Sequence, residues 1–344
     1  MTPNLSWQKL TLHLKNPFSL SYGVSEVRSA FWIRLKNDEG WGEGTIPPYY
    51  GISEQEMVTF WQVAAENPEA FPDKVNQITD WIGTEGPAPA RCALDLAFHD
   101  RLARHLNLPL HKLLVIPTPE PKPSAFTIAT DTPEAAEEMA ISLKSFPIIK
   151  LKLGRDSNDI DILRAVRHAR PGVRIWVDAN AGWYLDDAIR LSRDLERLHV
   201  ELLEQPLEKL DFEGMGSLQS KTSIPIVADE SVRTPDDIDA LAKCGVKGVN
   251  VKLMKVGGLS PGLKMIKQAK DLGLKVMLGC MIETAIGTTA MAHLSGFADW
   301  LDLDASLLIA NDPFMGMTID ENAMVHIQPK PGIGVIKSAS KTAN

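Results

Sequence analysis

The sequence predicts an α/β fold, a modified TIM (β/α) barrel with an N-terminal α+β domain that caps it. In the 344-residue chain, strands precede helices up to about residue 106, and strands alternate with helices from residue 124 onward. The alternating units repeat about every 25 residues, and eight such units close a parallel sheet into a barrel. An open doubly wound sheet is the alternative, but no GxGxxG turn follows the first strand of this region.

The N-terminal region predicts an antiparallel sheet covered by helices. Alternating or β-rich residues predict strands at 7–14, 30–35 and 41–44. The helical spacing of apolar residues predicts helices at 53–65 and 87–106. Because the strands come first and the helices afterwards, this region is an α+β unit and not part of the barrel.

A proline-rich stretch at 116–123 separates the two patterns. Four prolines in eight residues form a stiff, extended connector. We therefore predict a capping domain at 1–116 and a barrel with the catalytic residues at 124–314. The tail, 315–344, alternates again without a helical period, and we expect it to return to the capping domain.

Eight short apolar segments predict the strands of the barrel, and most of them are followed by a helical pattern. These segments are 124–128, 148–153, 173–177, 201–203, 224–228, 246–253, 274–278 and 300–303.

Composition narrows the class of protein. Hydrophobic residues make up 44% of the chain, enough for a full core, and the net charge of −8 argues against a nucleic-acid partner. Cys92, Cys244 and Cys280 are far apart and form no CxxC motif, which fits a reducing cytoplasm. Neither a signal peptide nor a membrane-spanning run is predicted.

Three acids follow successive predicted strands. Asp178, Glu204 and Asp229 are separated by 26 and 25 residues, about one βα unit each. The carboxyl ends of barrel strands meet at one mouth, where three carboxylates would repel one another without a cation. Hard oxygen ligands in this number suit Mg²⁺. The alternative is that each acid caps the helix that follows it.

Lysines are predicted at the same mouth. Lys150 and Lys152 alternate with aliphatic residues, so a strand would place both ammonium groups on one face. Like charges this close are expected to lower each other's pKa, and Lys150 is expected to help keep Lys152 neutral. Lys252, on the sixth strand, would lie across the barrel from Lys152, so the two can flank a substrate as acid and base. The alternative is that Lys252 is a surface lysine.

The chain resembles the enolase superfamily, in the muconate-lactonizing-enzyme subgroup, and within it the dipeptide epimerases. The resemblance covers nearly the whole chain and is carried, in order, by Gly40-Trp41-Gly42-Glu43, Lys150 and Lys152, Asp178-Ala179-Asn180, Glu204-Gln205-Pro206, Asp229-Glu230-Ser231 and Lys252.

The resemblance implies a metal-assisted proton transfer. One Mg²⁺ per subunit would bind the substrate carboxylate and stabilise an ene-diolate, while Lys152 and Lys252 move the α-proton on opposite faces. Asn180 and Glu230 would support the metal ligands. The resemblance also implies a homo-oligomer.

A second acidic pair indicates which reaction of the subgroup applies. Asp302 and Asp304 alternate at the end of the eighth strand, and in the epimerases that the chain resembles such a pair binds the α-ammonium of a dipeptide. Two anions complement one buried cation. The alternative is a solvated acidic pair. Thr127 and Glu283 are further candidates for substrate binding.

The side-chain preference is predicted from a departure from the family pattern. Epimerases of L-Ala-D/L-Glu carry an arginine in the first domain where this chain aligns Gly23. Arg28 is interpreted as lying on the way into the next strand, so that a Glu side chain of the substrate would lack its partner. Tyr49 and Tyr50 are expected to supply an apolar wall, so we expect an apolar or small dipeptide in preference to Ala-Glu.

Three other functions remain open at this point. An N-acylamino acid racemase or an o-succinylbenzoate synthase uses the same scaffold, but Asp302 and Asp304 disfavour a substrate without an ammonium group. A non-catalytic ligand-binding barrel has no need of lysines that face acids. A phosphate-binding barrel would use Gly257-Gly258, but an acidic mouth repels phosphate.

Overall fold

A three-stranded antiparallel sheet begins the chain. The computed structural model describes residues 4–20, 23–47, 50–154 and 158–338. Strands β1 (Leu5–Leu20), β2 (Gly23–Leu35) and β3 (Trp41–Thr45) pair in the order β1-β2-β3. Between β2 and β3 the chain turns through Asn37 and Asp38, which have φ values of 58° and 62°. Asparagine and aspartate adopt such positive φ values more readily than most other residue types. The predicted antiparallel region is confirmed.

Four helices cover this sheet. Helix α1 (Glu54–Glu66) begins at Ser53 with a capping box, in which the Ser53 hydroxyl and the Glu56 carboxylate each bind the backbone of the other. It is followed by α2 (Ile78–Ile82), α3 (Ala88–His105) and α4 (Leu110–Leu113). Helix α3 is buried on nearly all sides, because this helix lies between the sheet and the barrel.

Glycines in β3 allow α3 to approach the sheet closely. A Cβ atom on Gly42 would lie 1.9 Å from the carbonyl oxygen of Ala93, and one on Gly40 would lie 2.2 Å from that of Ala97. No side chain fits at these distances, so the glycines are needed for packing at these positions.

Eight parallel strands form the barrel, as predicted. Strands β5 to β12 are hydrogen-bonded in chain order, and the Ala125 backbone N–H donates to the Leu301 carbonyl at 2.9 Å beside β12 and β5. The elements are β4 (Lys122–Pro123), β5 (Phe126–Ile128), α5 (Pro133–Ser142), β6 (Ile148–Lys152), α6 (Asp159–Ala169), β7 (Arg174–Asp178), α7 (Leu185–Arg197), β8 (Val200–Glu204), α8 (Phe212–Gln219), β9 (Ile226–Ala228), α9 (Pro235–Cys244), β10 (Gly248–Val251), α10 (Leu253–Val256), α11 (Leu259–Asp271), β11 (Lys275–Gly279), α12 (Ala285–Ala292) and β12 (Trp300–Asp302).

The sequence marks the ends of several barrel helices. Thr132 and Thr234 accept hydrogen bonds at the N-termini of α5 and α9, each followed by proline at the first helical position. Gly245 ends α9 with a φ of 85°. Helix α8 and the short helix α10 were not predicted from the sequence.

Inside the barrel, an apolar layer lies below a polar one. Ile148, Trp176 and Leu202 belong to a buried cluster at the N-terminal half of the strands. Lys150 lies two residues beyond Ile148 on the same strand and is also buried, with 1% of its surface exposed. The apolar layer therefore closes the barrel floor, and polar side chains collect at the other end.

The last segment contacts both earlier parts of the chain. It contains α13 (Ala305–Leu308), β13 (Phe314–Met315), β14 (Thr318–Ile319), β15 (Met324–His326) and β16 (Ile336–Lys337). Strand β15 pairs with β4, and the Ile333 backbone N–H donates to the Asp100 carboxylate at 2.8 Å. The division of the chain at residues 116 and 314 stays a prediction. No helix in the described part of the chain is both long enough and apolar enough to span a membrane.

Replacing Gly42 by alanine is expected to lower the free energy of unfolding by roughly 2 kcal/mol or more, because the added methyl group overlaps the backbone of α3. Calorimetric melting measures the effect. Gly172→Ala is the control, since a Cβ there has no heavy atom within 4 Å. Equal melting temperatures for the two variants would contradict the packing argument.

Candidate active site

Three buried carboxylates meet at the C-terminal ends of neighbouring strands. Asp178 pairs in register with Glu204 across β7 and β8, and Asp229 directly follows β9. One carboxylate oxygen of each lies within 4.8 Å of the others, and all three residues are fully buried. A buried set of three oxygen donors fits the coordination preference of Mg²⁺.

The three carboxylates differ in their electrostatics. Burial and the neighbouring Asp178 raise the pKa of Glu204 to about 8. Burial also opposes ionisation of Asp178 and Asp229, but nearby lysines outweigh it and hold the pKa of both below its ordinary value. For Asp178 the strongest of these is Lys152, and for Asp229 it is Lys252.

The ammonium group of Lys150 is surrounded by carboxylates. Its Nζ is 2.7 Å from Asp302 Oδ2, 2.7 Å from Glu204 Oε2 and 3.0 Å from Asp178 Oδ2. Burial alone would lower the pKa of Lys150, but these carboxylates outweigh burial and hold it well above its ordinary value. The expectation of a lowered pKa for Lys150 is therefore wrong, because it considered only neighbours along one strand.

Two further lysines contact the carboxylates from different strands. Lys152 Nζ lies 2.6 Å from Asp178 Oδ2, and Lys252 Nζ lies 2.7 Å from Asp229 Oδ2. Lys252 follows β10, four strands around the barrel from β6, and both lysines line one cavity. Burial opposes the charge on Lys252, yet Asp229 holds its pKa well above the ordinary value.

A layer of hydrogen bonds holds these groups in place. The Asn180 backbone N–H donates to Asp178 Oδ1 at 2.9 Å, and its side-chain amide donates to Glu230 Oε1 at 3.0 Å. Burial and Asp229 raise the pKa of Glu230 to about 7. The structure thus brings both predicted supporting residues to the carboxylates.

Three residues that support the carboxylates were not predicted from the sequence. Asn250 donates to Glu204 Oε1 at 2.9 Å, and the Gln205 side-chain oxygen accepts from the Asp229 backbone N–H at 2.8 Å. Lys255 donates to Asp229 Oδ1 and to the Asn250 carbonyl. Their positions beside the motifs were visible, but only the folded chain brings them to the carboxylates.

The second acidic pair lies in the same cavity. Asp302 contacts Lys150, as described above, and Asp304 Oδ2 accepts from the Thr127 backbone N–H at 2.7 Å. Burial, reinforced by Asp302, raises the pKa of Asp304 to about 6. Asp302, Asp304 and Thr127 all line the cavity with Lys152 and Lys252.

The capping domain forms another wall of this cavity. Phe18, Arg28, Ile46 and Pro47 line it opposite the barrel. Arg28 lies on β2, which agrees with its interpretation as leading into a strand. Its side chain is 9% exposed and also lines the cavity, which the sequence did not indicate.

Three predicted substrate residues of the described part of the chain do not line the cavity. Gly23, the first of them, is exposed at the start of β2. The predicted Tyr49 lies outside the described residues. Tyr50 packs against the barrel core, under the Arg233 guanidinium at 5.6 Å, and burial and Asp229 raise its pKa. Glu283 is buried behind the lining residues, where burial and Glu43 raise its pKa well above the ordinary value.

Known proteins resemble this chain in sequence and in fold. The Enolase C-terminal domain-like family model matches residues 131–338. An L-Ala-D/L-amino acid epimerase of Maribacter sp. (strain HTCC2170 / KCCM 42371) is 36% identical over 342 residues, covering 96% of this chain and 98% of that protein.

Two solved structures share the fold over nearly the full length. A dipeptide epimerase from Enterococcus faecalis V583, complexed with Mg and the dipeptide L-Leu-L-Tyr, has a TM-score of 0.90 at 26% identity and covers 97% of this chain and 99% of its own. An N-succinyl Arg/Lys racemase from Bacillus cereus ATCC 14579 has a TM-score of 0.91 at 25% identity, covering 97% and 95%.

The sequence resemblance is thereby confirmed. Relatives of this chain are named as epimerases and racemases, which are isomerases, and this chain is an isomerase as well. Since the family model matches more than half of the chain and a full-length relative exceeds 30% identity, the chain belongs to the Enolase C-terminal domain-like family.

Proposed function

We propose that this isomerase is a magnesium-dependent dipeptide epimerase that inverts the α-carbon of the C-terminal residue. The observation that carries the proposal is the presence of Asp302 and Asp304 in one cavity with Lys152 and Lys252. Such a cavity offers anions for an ammonium group at one end and two lysines for proton transfer at the other. The names of the relatives support this reaction.

In this proposal, Asp178, Glu204 and Asp229 hold the metal ion. When bound, Mg²⁺ supplies positive charge that favours the substrate carboxylate and stabilises the ene-diolate formed when the α-proton leaves. Asn250 and Lys255 hold Glu204 and Asp229 in their orientation.

The lysines divide the proton transfer between two faces of the substrate. Lys152 removes or returns the α-proton on one face, and Lys252 does so on the other. Lys150 is a fixed cation that bridges the metal ligands and Asp302, since its contacts with three carboxylates favour its charged form. This role replaces the one predicted from the sequence.

Asp302 and Asp304 bind the α-ammonium of the dipeptide. Both are nearly buried, and Lys150 contacts Asp302 while it is shared with Asp178 and Glu204, so a substrate without a cation would leave the negative charge of the pair only partly compensated. The racemase of N-succinyl amino acids is the second candidate, because its structure is equally similar. Its substrate carries an acylated nitrogen in place of the α-ammonium group, and the two carboxylates disfavour binding of a group without positive charge.

An apolar or small C-terminal residue suits most of the capping wall, which presents Phe18, Ile46 and Pro47. Arg28 is the one cation on this wall among the described residues. We propose that apolar dipeptides are preferred and that Arg28 accounts for whatever turnover of Ala-Glu occurs.

Replacing either proposed base is expected to separate proton exchange from epimerisation. In Lys152→Ala and Lys252→Ala, epimerisation of L-Ala-L-Leu should fall by about 10²- to 10⁴-fold, the usual contribution of a positioned acid or base. In D₂O with Mg²⁺, the remaining lysine should still exchange the α-proton of one epimer, and the two variants should differ in which epimer exchanges. Mass spectrometry and chiral separation measure both effects.

Lys247→Ala is the matched control, because Lys247 is exposed and precedes the strand that Lys252 follows. Normal epimerisation by Lys252→Ala would contradict the two-base assignment. Absence of deuterium from every member of a dipeptide library treated with the unmodified protein would contradict the epimerase proposal itself, and exchange in N-succinyl amino acids alone would select the racemase.

Removing the metal with EDTA is expected to abolish exchange, and added Mg²⁺ should restore it. Because a ligand that binds only the folded state stabilises it, Mg²⁺ at 100 times its Kd should add about 2.7 kcal/mol of stability. Melting curves should show this rise for the unmodified protein and for Glu213→Gln, an exposed acid on α8, but not for Glu204→Gln. A full Mg²⁺-dependent rise in the melting temperature of Glu204→Gln would contradict the metal assignment.

Replacing Arg28 by methionine is expected to reduce kcat/KM for L-Ala-L-Glu about tenfold or more, since a charge-assisted hydrogen bond contributes about 1.5–3 kcal/mol. Turnover of L-Ala-L-Leu should change less than about threefold. Arg34→Met is the control, because Arg34 lies on the same strand but stacks on Trp32 at 4.5 Å. Equal losses on both dipeptides would show that Arg28 does not read the side chain.

A further inference from the structure

A second chamber adjoins the catalytic cavity. It has a volume of about 420 Å³, whereas the catalytic cavity has about 60 Å³. The two share Phe18, Thr127 and Leu308 in their walls, so they lie next to each other. A bulky part of a ligand that enters the catalytic cavity therefore has room chiefly in this chamber.

The wall that the chamber shares with the catalytic cavity is linked to Asp304. Thr127, in the shared wall, donates its backbone N–H to Asp304 at 2.7 Å. Leu308, which is also in the shared wall, is the last residue of the short helix α13, and this helix begins directly after Asp304. In a dipeptide, the side chain of the N-terminal residue leaves the same carbon that carries the ammonium group. A substrate whose ammonium binds Asp302 and Asp304 thus has this side chain at the chamber entrance.

The other walls of the catalytic cavity are already assigned to other parts of the substrate. Lys152 and Lys252 flank the reacting carbon, and the capping wall with Arg28, Ile46 and Pro47 belongs to the catalytic cavity but not to the chamber. Apart from Phe18, which belongs to both walls, the C-terminal side chain and the N-terminal side chain therefore have different walls, and the chamber remains for the latter.

The walls of the chamber indicate which side chains it accepts. Its polar lining comes from Thr127 and from the segments 15–16 and 130–131, and most of its other wall residues are apolar. Apolar walls of this kind favour aliphatic, thioether or aromatic side chains. The apolar lining residues are Leu14, Pro17, Phe18, Phe126, Ala129, Met139, Leu307 and Leu308.

We propose that this chamber binds the side chain of the N-terminal residue, so that the protein acts best on dipeptides that begin with a large apolar residue. The inference rests on the proposed epimerase function. It adds a specificity site formed by β1, β5, α5 and α13, apart from the residues that carry out the reaction.

The test compares dipeptides that differ only at the N-terminus, with L-leucine kept at the epimerised position. L-Leu-L-Leu, L-Met-L-Leu and L-Phe-L-Leu should exceed L-Ala-L-Leu by about tenfold or more in kcat/KM, mostly through a lower KM, because burial of a larger apolar side chain favours binding. Epimerisation is followed by chiral separation of the products.

Two variants of one chamber residue test the assignment in opposite directions. Met139→Trp fills the chamber, so the preference for L-Leu-L-Leu over L-Ala-L-Leu should shrink at least severalfold. Met139→Ala enlarges it, so L-Phe-L-Leu should gain relative to L-Leu-L-Leu. Ile141→Trp is the matched control on α5, since Ile141 is 47% exposed and should leave these ratios unchanged.

Each outcome decides a different question. If L-Ala-L-Leu is epimerised as well as or better than the larger dipeptides, the chamber assignment is wrong and the proposed function stands. If tripeptides with one further N-terminal residue are preferred, the chamber holds a residue and not a side chain, and the inference is overturned. If no dipeptide is epimerised, the proposed function itself is wrong.

Discussion

The buried ammonium group of Lys150 is the interaction on which the rest of the site depends. It contacts a carboxylate oxygen of Asp178, Glu204 and Asp302, which come from three different strands. Acids this close and this deeply buried would repel one another, and burying an unpaired charge is costly. A cation fixed among them makes the arrangement possible. Lys150 also joins the proposed metal site to the proposed ammonium site, so the two ends of the cavity are held by one side chain.

Much of this architecture could be predicted from the sequence because it depends on spacing. Regular βα repeats predict a barrel, and acids at strand ends in such a barrel must converge. The Lys150–Asp302 contact could not be predicted in this way, since 152 residues separate the partners and only the closure of the barrel through Ala125 and Leu301 brings them together. For the same reason the predicted pKa direction of Lys150 was wrong, because alternation along one strand reveals Lys152 but not the carboxylates opposite.

Positions outside the regular repeat were predicted less well. Arg28 was placed by an alignment of a loop, and loops tolerate insertion, so sequence distance from Gly23 did not reveal which side chain faces the cavity. Asn250 and Lys255 were overlooked because an amide or lysine near a strand end has no distinctive spacing. Glu283 was recognised by its motif, but the motif carried no information on whether the side chain lines the cavity or lies behind it.

The motif Gly40-Trp41-Gly42-Glu43 has a physical explanation that links the capping domain to the site. Its glycines admit α3 against β3, and Glu43 reaches into the barrel, where it accepts hydrogen bonds from the Thr284 and Gly287 backbone N–H groups at 2.8 and 3.1 Å. Burial nevertheless raises the pKa of Glu43. Thr284 closely follows the segment 280–282, which lines the catalytic cavity. A carboxylate of the capping domain thus fixes a barrel loop that adjoins the cavity lining, and this contact holds the capping domain in register with the barrel.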